Sequence, residues 1–149
     1  MDAKITAADS GIQIAFRNSP SCRRIAAVEG VGQLIATAVV AAISNEHAFE
    51  NGRQFSVWLG LVHRQNSSGG KSRLMSTTKR GNPYLRTLLI HGAKSFVYRA
   101  KAKTDKRGLW IVDKQQRLST TKACVAVANK NVRVIWSLTA REQEYRRAC

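Results

Sequence analysis

Two hydroxyls stand directly before two glycines in Ser67-Ser68-Gly69-Gly70, among the cations Arg64, Lys71, Arg73, Lys79 and Arg80. A serine oxygen on a pliable backbone, ringed by positive charge, suits two chemistries. It can help to hold a phosphate, or it can attack a phosphodiester whose developing charge the cations would stabilise. Residue types alone favour the first, a solvated basic loop over Val62 to Asn82 that touches phosphate. Arg86, just beyond it, extends the basic set.

Gly30-Val31-Gly32 is a second candidate, flanked by the apolar positions Ile25, Val28 and Leu34. This spacing matches a helix-hairpin-helix, in which glycines permit positive φ and close backbone approach. The amides that open the second helix can then face a DNA phosphate, where the helix dipole also favours an anion. Such a contact grips backbone and reads no bases. The plain alternative is an αα-turn that uses glycine for geometry only.

Charge supports a polyanionic partner. The chain has 149 residues and a formal net charge of +16. Residues 1–51 hold 4 basic and 5 acidic side chains, and the remainder 21 and 4. A basic surface of that strength points to nucleic acid through phosphate neutralisation. The longest apolar run, Leu34 to Ile43, is too short to span a bilayer, and the first residues lack a secretory pattern, so a cytoplasmic protein without a membrane partner is expected.

Metal chemistry finds little support in the residue spacing. Cys22, Cys124 and Cys149 lie far apart without a CxxC pair, and His47, His63 and His91 are equally scattered, so no metal site is assigned. Between Gly52 and Arg133 the only carboxylates are Asp105 and Asp113, which argues against a self-contained two-metal nuclease site. Trp58, Trp110 and Trp136, with Tyr84 and Tyr98, sit among apolar neighbours at helical spacing. That pattern favours core packing over base stacking.

The elements that must position these residues read as a mainly α fold, a small helical domain with a helix-hairpin-helix and a long basic loop. Residues 1–20 lack a sustained period and read as a loose leader, residues 21–145 as one folded domain, and residues 146–149 as a tail. A short helix through Ile25 and Val28, the glycine turn, and an Ala-rich helix over Leu34 to Ile43 come first. Phe55, Trp58 and Leu59 mark a short helix. Asn82 and Pro83 form an N-cap and N1 pair for a helix whose stripe is Leu85, Leu88, Leu89, Gly92 and Phe96. A further helix spans Trp110 to Leu118. The last, Lys122 to Leu138, turns Ala123, Val127, Val134 and Leu138 inward and Lys130 and Arg133 outward. No stretch alternates as a strand would.

Four blocks in order, VEGVGQLIATAVVAAI, FENGRQFSVWLGLVHRQNSSGGKSRL, TKRGNPYLRTLLIHGAKS and ANKNVRVIW, resemble the C-terminal domain of transposases typified by insertion sequences 110, 116 and 902, relatives of the Piv-type DNA invertases. The resemblance covers roughly Ser21 to Tyr145. It implies a composite active site, in which a RuvC-like domain with four acidic residues holds Mg²⁺ and this domain supplies a serine. Ser68 would be the nucleophile, with Ser67 the second choice. It further implies DNA as substrate, a guide RNA, and action as a homo-oligomer or beside a full-length transposase. His63 stands where the family usually has proline, and Leu74 to Thr78 departs from the family's approach to KRGN. The leader is too short to encode the acidic domain, so a truncated recombinase, incomplete by itself, is expected. The alternative is a non-enzymatic helix-hairpin-helix module that binds duplex DNA or structured RNA.

Overall fold

The computed structural model describes residues 2–46, 49–68, 71–77 and 82–146, with side chains described over 2–43, 49–62 and 82–146. Seven α-helices, one antiparallel two-stranded ribbon and a 3-10 turn at Ala100–Ala102 make up these residues. The mainly α expectation therefore holds. The axis of the fold is α7, Thr120–Arg141, whose 22 residues carry an apolar stripe through Ala123, Val127, Ile135 and Leu138. Against it pack α5 (Pro83–Arg99), α4 (Gly52–Trp58), α2 (Pro20–Ile25) and α6 (Lys106–Arg117). One continuous core results, with Ile25, Phe55, Leu59, Leu61, Leu89, Ile111 and Ile135 fully buried at its centre.

Local chemistry explains where the helices start. Asn82 accepts from the amides of Tyr84 and Leu85 at 3.1 and 3.2 Å, and Pro83 follows where its missing N–H costs nothing. Asn51 caps α4 by accepting from Gln54 N at 2.9 Å. Ser19, Asp105 and Ser119 cap α2, α6 and α7 in the same way. Gly52 opens α4 because a Cβ there would come within 3.0 Å of Arg133 Cα on α7.

Two expectations need correcting. The leader is not loose: Asp2–Asn18 forms α1, which packs on α2 and on α3 (Gln33–Glu46). None of its residues is buried, and only near its end does Phe16 lie half-buried against the core. Alanines at 3, 7, 8 and 15 favour helix without supplying an apolar face, which is why periodicity missed it. The long basic loop is instead built mainly from two strands, β1 (His63–Ser68) and β2 (Lys71–Thr77), with an irregular register between His63 and Gln65. Neither strand alternates apolar with polar residues, so the usual signature of a half-buried strand is missing.

Candidate nucleic-acid interface

The glycine turn joins α2 to α3 over residues 26–32, so the short helix ends at Ile25 and Val28 lies within the turn. Only one of its glycines needs positive φ. Gly30 has φ +86°, whereas a Cβ on Gly32 would meet nothing within 4 Å. Gly30 is also where the turn meets α5: a Cβ there would stand 2.8 Å from Gly92 O, and one on Gly92 would overlap Gly30 O. Gly30 thus serves turn geometry and close packing. Gly32 is exposed at the start of α3, its carbonyl accepting from Ala36 N at 2.9 Å.

A polar network that the residue patterns did not reveal holds this turn from beneath. Glu29 Oε2 lies 3.1 Å from Arg107 Nη1, and both side chains are 8% exposed. Tyr145 Oη donates to Glu29 Oε2 and accepts from Arg107 Nη1, each at 2.8 Å. Arg107 also donates to Asn131 Oδ1, while Asn131 Nδ2 donates to the Glu29 carbonyl at 3.0 Å. The guanidinium lies over the Phe96 ring, 5.3 Å from its centroid. Four residues from the turn, α6, α7 and the C-terminal segment thereby fix one another. The only sequence signal was Asn131, a polar residue four positions after Val127 on the inward stripe of α7. Burial and the hydrogen bond to Glu29 push the Tyr145 phenol above its ordinary range.

The serines lie at the turn end of the ribbon. Ser67 is paired with Ser72 and Ser68 with Lys71, while Asn66 stands opposite Arg73. For Arg64, Ser67, Ser68, Lys71 and Arg73 the backbone is described and the side chains lie outside the described set. Gly69, Gly70, Lys79 and Arg80 lie outside the described residues. Arg86 is on the first turn of α5, its amide bonded to Asn82 O at 3.1 Å, and its Nη1 is buried without a hydrogen-bond partner. The structure thus brings Ser67, Ser68, Lys71 and Arg73 onto one ribbon, with Arg64 in the irregular stretch of the same ribbon.

The aromatic residues divide. Trp58, Trp110 and Trp136 are half-buried against the core, as expected. Tyr84 and Tyr98 are 58% and 63% exposed, contrary to the core expectation, because each sits on the outward side of α5. Phe49, Phe55 and Trp58 form an aromatic cluster with centroids 5.0 to 6.1 Å apart.

Cys22 and Cys124 are buried free thiols, and burial pushes Cys124 above the usual thiol range. Among the described residues no three of His, Cys, Asp or Glu come together as a metal site. Asp105 is occupied in capping α6, accepting from Gly108 N at 3.0 Å, and Asp113 pairs with Arg117 at 3.1 Å. The described residues therefore form no carboxylate cluster of the kind that holds Mg²⁺, which the family resemblance assigns to the RuvC-like domain. No helix among the described residues is long and apolar enough to cross a membrane.

Comparison with known proteins agrees with the four sequence blocks. Residues 22–108 match the model of the transposase family IS116/IS110/IS902. The chain is 45% identical over 98% of its length to a protein of Pseudomonas aeruginosa named "Probable family 20 transposase", of which it covers 43%. It is 47% identical over 84% of its length to the transposase for insertion sequence element IS1111A of Coxiella burnetii, covering 34% of that protein. It is also similar, at 30% identity over 80% of its length, to the transposase for insertion sequence element IS1328 of Yersinia enterocolitica. The chain thus spans less than half the length of these relatives.

Proposed function

Because the chain belongs to the IS116/IS110/IS902 transposase family, we propose that it binds DNA through the phosphate backbone and carries the serine of a composite recombinase site. The observation that carries this reading is the pairing of Ser68 with Lys71 at the turn end of the ribbon. Directly opposed residues in an antiparallel pair lie roughly 5 Å apart, so the register sets Lys71 opposite Ser68. Arg64, Arg73, Lys79, Arg80 and Arg86 supply the surrounding charge, and Gly32, exposed at the start of α3, lets a phosphate approach the α3 amides. Gly30 contributes by shaping that turn. In the reaction, the serine oxygen would attack phosphorus, pass its proton to a base and release a sugar hydroxyl, leaving a serine–DNA phosphodiester.

Glu29, Asp113 and Glu144 are engaged in ion pairs and Asp105 in a cap, and no three described acidic, His or Cys residues cluster as a metal site, so activation of the hydroxyl is assigned to acidic groups from outside these residues. An acidic, Mg²⁺-holding RuvC-like domain in the intact family is the natural source, with a guide RNA and an oligomer as the setting. Residues 1–149 are then a DNA-binding part of the recombinase.

The test is a salt titration of duplex DNA binding, comparing the wild type with Arg64→Gln/Lys71→Gln/Arg73→Gln. Non-specific affinity on the order of 10⁻⁴ to 10⁻⁶ M is expected, and the slope of log K against log salt should flatten by about 0.9 for each phosphate that the variant leaves unneutralised. A wild-type slope near zero would refute the proposal.

A further inference from the structure

A second basic surface lies away from the ribbon turn, where α6 crosses α7. Its centre is Trp110, half-buried, with Lys130 Nζ 4.2 Å and Lys114 Nζ 5.8 Å from the ring centroid. Two adjoining cavities share Trp110 and Lys130 as their common wall. One, of about 350 Å³, is further lined by Lys114, Asn129 and Arg133, and it reaches Leu61, two residues before β1 begins. The other, of about 460 Å³, is further lined by Lys106 and Arg146 and ends at Tyr145.

Its cations Lys106, Lys114, Lys130 and Arg133 form no ion pair among the described residues, and two further features make this groove unlike an ordinary solvated face. Asn129 Oδ1 is buried in the groove without a hydrogen-bond partner, an unmet requirement in a folded protein. Lys130, exposed overall, is held below the ordinary amine range by partial desolvation and by the neighbouring charges of Arg107 and Lys114, a crowding that a bound anion would relieve.

We infer that the α6–α7 groove is a track for a single strand of DNA, with phosphates on the cations at either side and nucleotides in the two cavities flanking Trp110. Cations lining a narrow groove, interrupted by an aromatic side chain, are what an unpaired strand recognises, since every base offers a π-face. Each cavity is of small-molecule size and the two meet at Trp110 and Lys130, whereas a duplex presents two rows of phosphate and no free base faces. Because the first cavity reaches the foot of the ribbon, a strand engaged near Ser68 could continue into it. The choice of DNA rests on the function proposed above; the polyanion chemistry does not.

The experiment compares the wild-type chain with Lys114→Gln/Lys130→Gln in binding labelled oligo-dT, oligo-rU and a mixed-sequence duplex, by fluorescence anisotropy across a salt series. Both lysines lie at the surface, so circular dichroism and melting temperature should match the wild type. For oligo-dT the variant should lose at least fivefold in affinity near 0.1 M salt. Its salt slope should flatten by about 1.4, the value for neutralising two phosphates of a single strand. Duplex affinity should change less than twofold. Ultraviolet crosslinking of oligo-dT to the wild type should map to the peptide holding Trp110. The inference is overturned if the wild type does not bind oligo-dT, if the variant binds it unchanged, if duplex affinity falls equally, or if oligo-rU is preferred. Duplex binding by the wild type reports separately on the proposed function, so failure of one reading is distinguishable from failure of the other.

Discussion

At Gly30 and Gly92 two backbones approach more closely than side chains allow. Gly30 has φ +86°, and a Cβ there would stand 2.8 Å from a carbonyl oxygen, so Gly30→Ala must strain the turn and push α5 away. The expected cost is about 1–3 kcal/mol, or roughly 2–9 °C in melting temperature for a chain of this size. Gly32→Ala, in open space without positive φ, should stay within about 1 kcal/mol of the wild type. Thermal melts of the two variants check this, and equal losses would contradict the packing role given to Gly30. At Arg107 the stake is larger. Arg107→Met removes the buried guanidinium from the Glu29 carboxylate, a change that costs about 3–5 kcal/mol in comparable buried pairs. Tyr145→Phe removes two hydrogen bonds to charged partners, each worth about 1.5–3 kcal/mol, while leaving the Glu29–Arg107 pair in place. The Tyr145 phenol is raised in the folded state, chiefly by burial, so its stabilising contribution is intact below about pH 10 and is lost as pH rises further. Wild-type stability should therefore fall more steeply above pH 10 than that of Tyr145→Phe, as urea melts at pH 9 and 11 can read.

At the scale of elements, α5 shows what residue patterns determine by themselves. Asn82, Pro83 and the stripe through Leu85, Leu89 and Phe96 place its start and its inward face, and both are found as expected. Asn82→Ala frees two amides of the first turn and should cost about 0.5–2 kcal/mol. Hydrogen exchange at Tyr84 and Leu85 should accelerate in that variant while exchange in α7 stays slow; protection unchanged at both amides would exclude the cap. The helices α3, α4 and α7 were legible for the same reason, since burial on one face imposes a period on the sequence; α6 was expected over Trp110 to Leu118 but starts a turn earlier, at Lys106, where Asp105 caps it. The ribbon was not, because His63–Ser68 and Lys71–Thr77 show no alternation of apolar and polar residues to read. Nor was α1, which forms without a buried residue. The buried network was hidden by range: Glu29, Arg107, Asn131 and Tyr145 meet only after the chain has closed on itself, and local patterning holds no record of such pairs. The basic groove was half visible. Lys130 and Arg133 were read as outward on α7, but their convergence with Lys114 on Trp110 depends on how α6 crosses that helix.

On the scale of the whole molecule, chemistry and scaffold are separate. The helices form one core in which no three described acidic, His or Cys residues cluster, while the backbone of Ser68 belongs to the two-stranded ribbon. A serine hydroxyl attacks poorly at neutral pH unless a base or metal activates it, and no described cluster here can hold that metal. The chain alone should therefore bind DNA without cleaving or joining it, even with Mg²⁺ present. Complementation tests the point. A full-length family member whose own C-terminal serine has been changed to alanine is mixed with this chain and with the nucleic acids that member uses. Covalent protein–DNA adducts are then sought on a denaturing gel. Adducts of this chain's mass that vanish with Ser68→Ala, and persist with Ser67→Ala, would assign the nucleophile to Ser68. The reverse pattern would move it to Ser67. Cleavage by the chain in isolation would mean that activating groups lie within it, and the composite-site reading would fall.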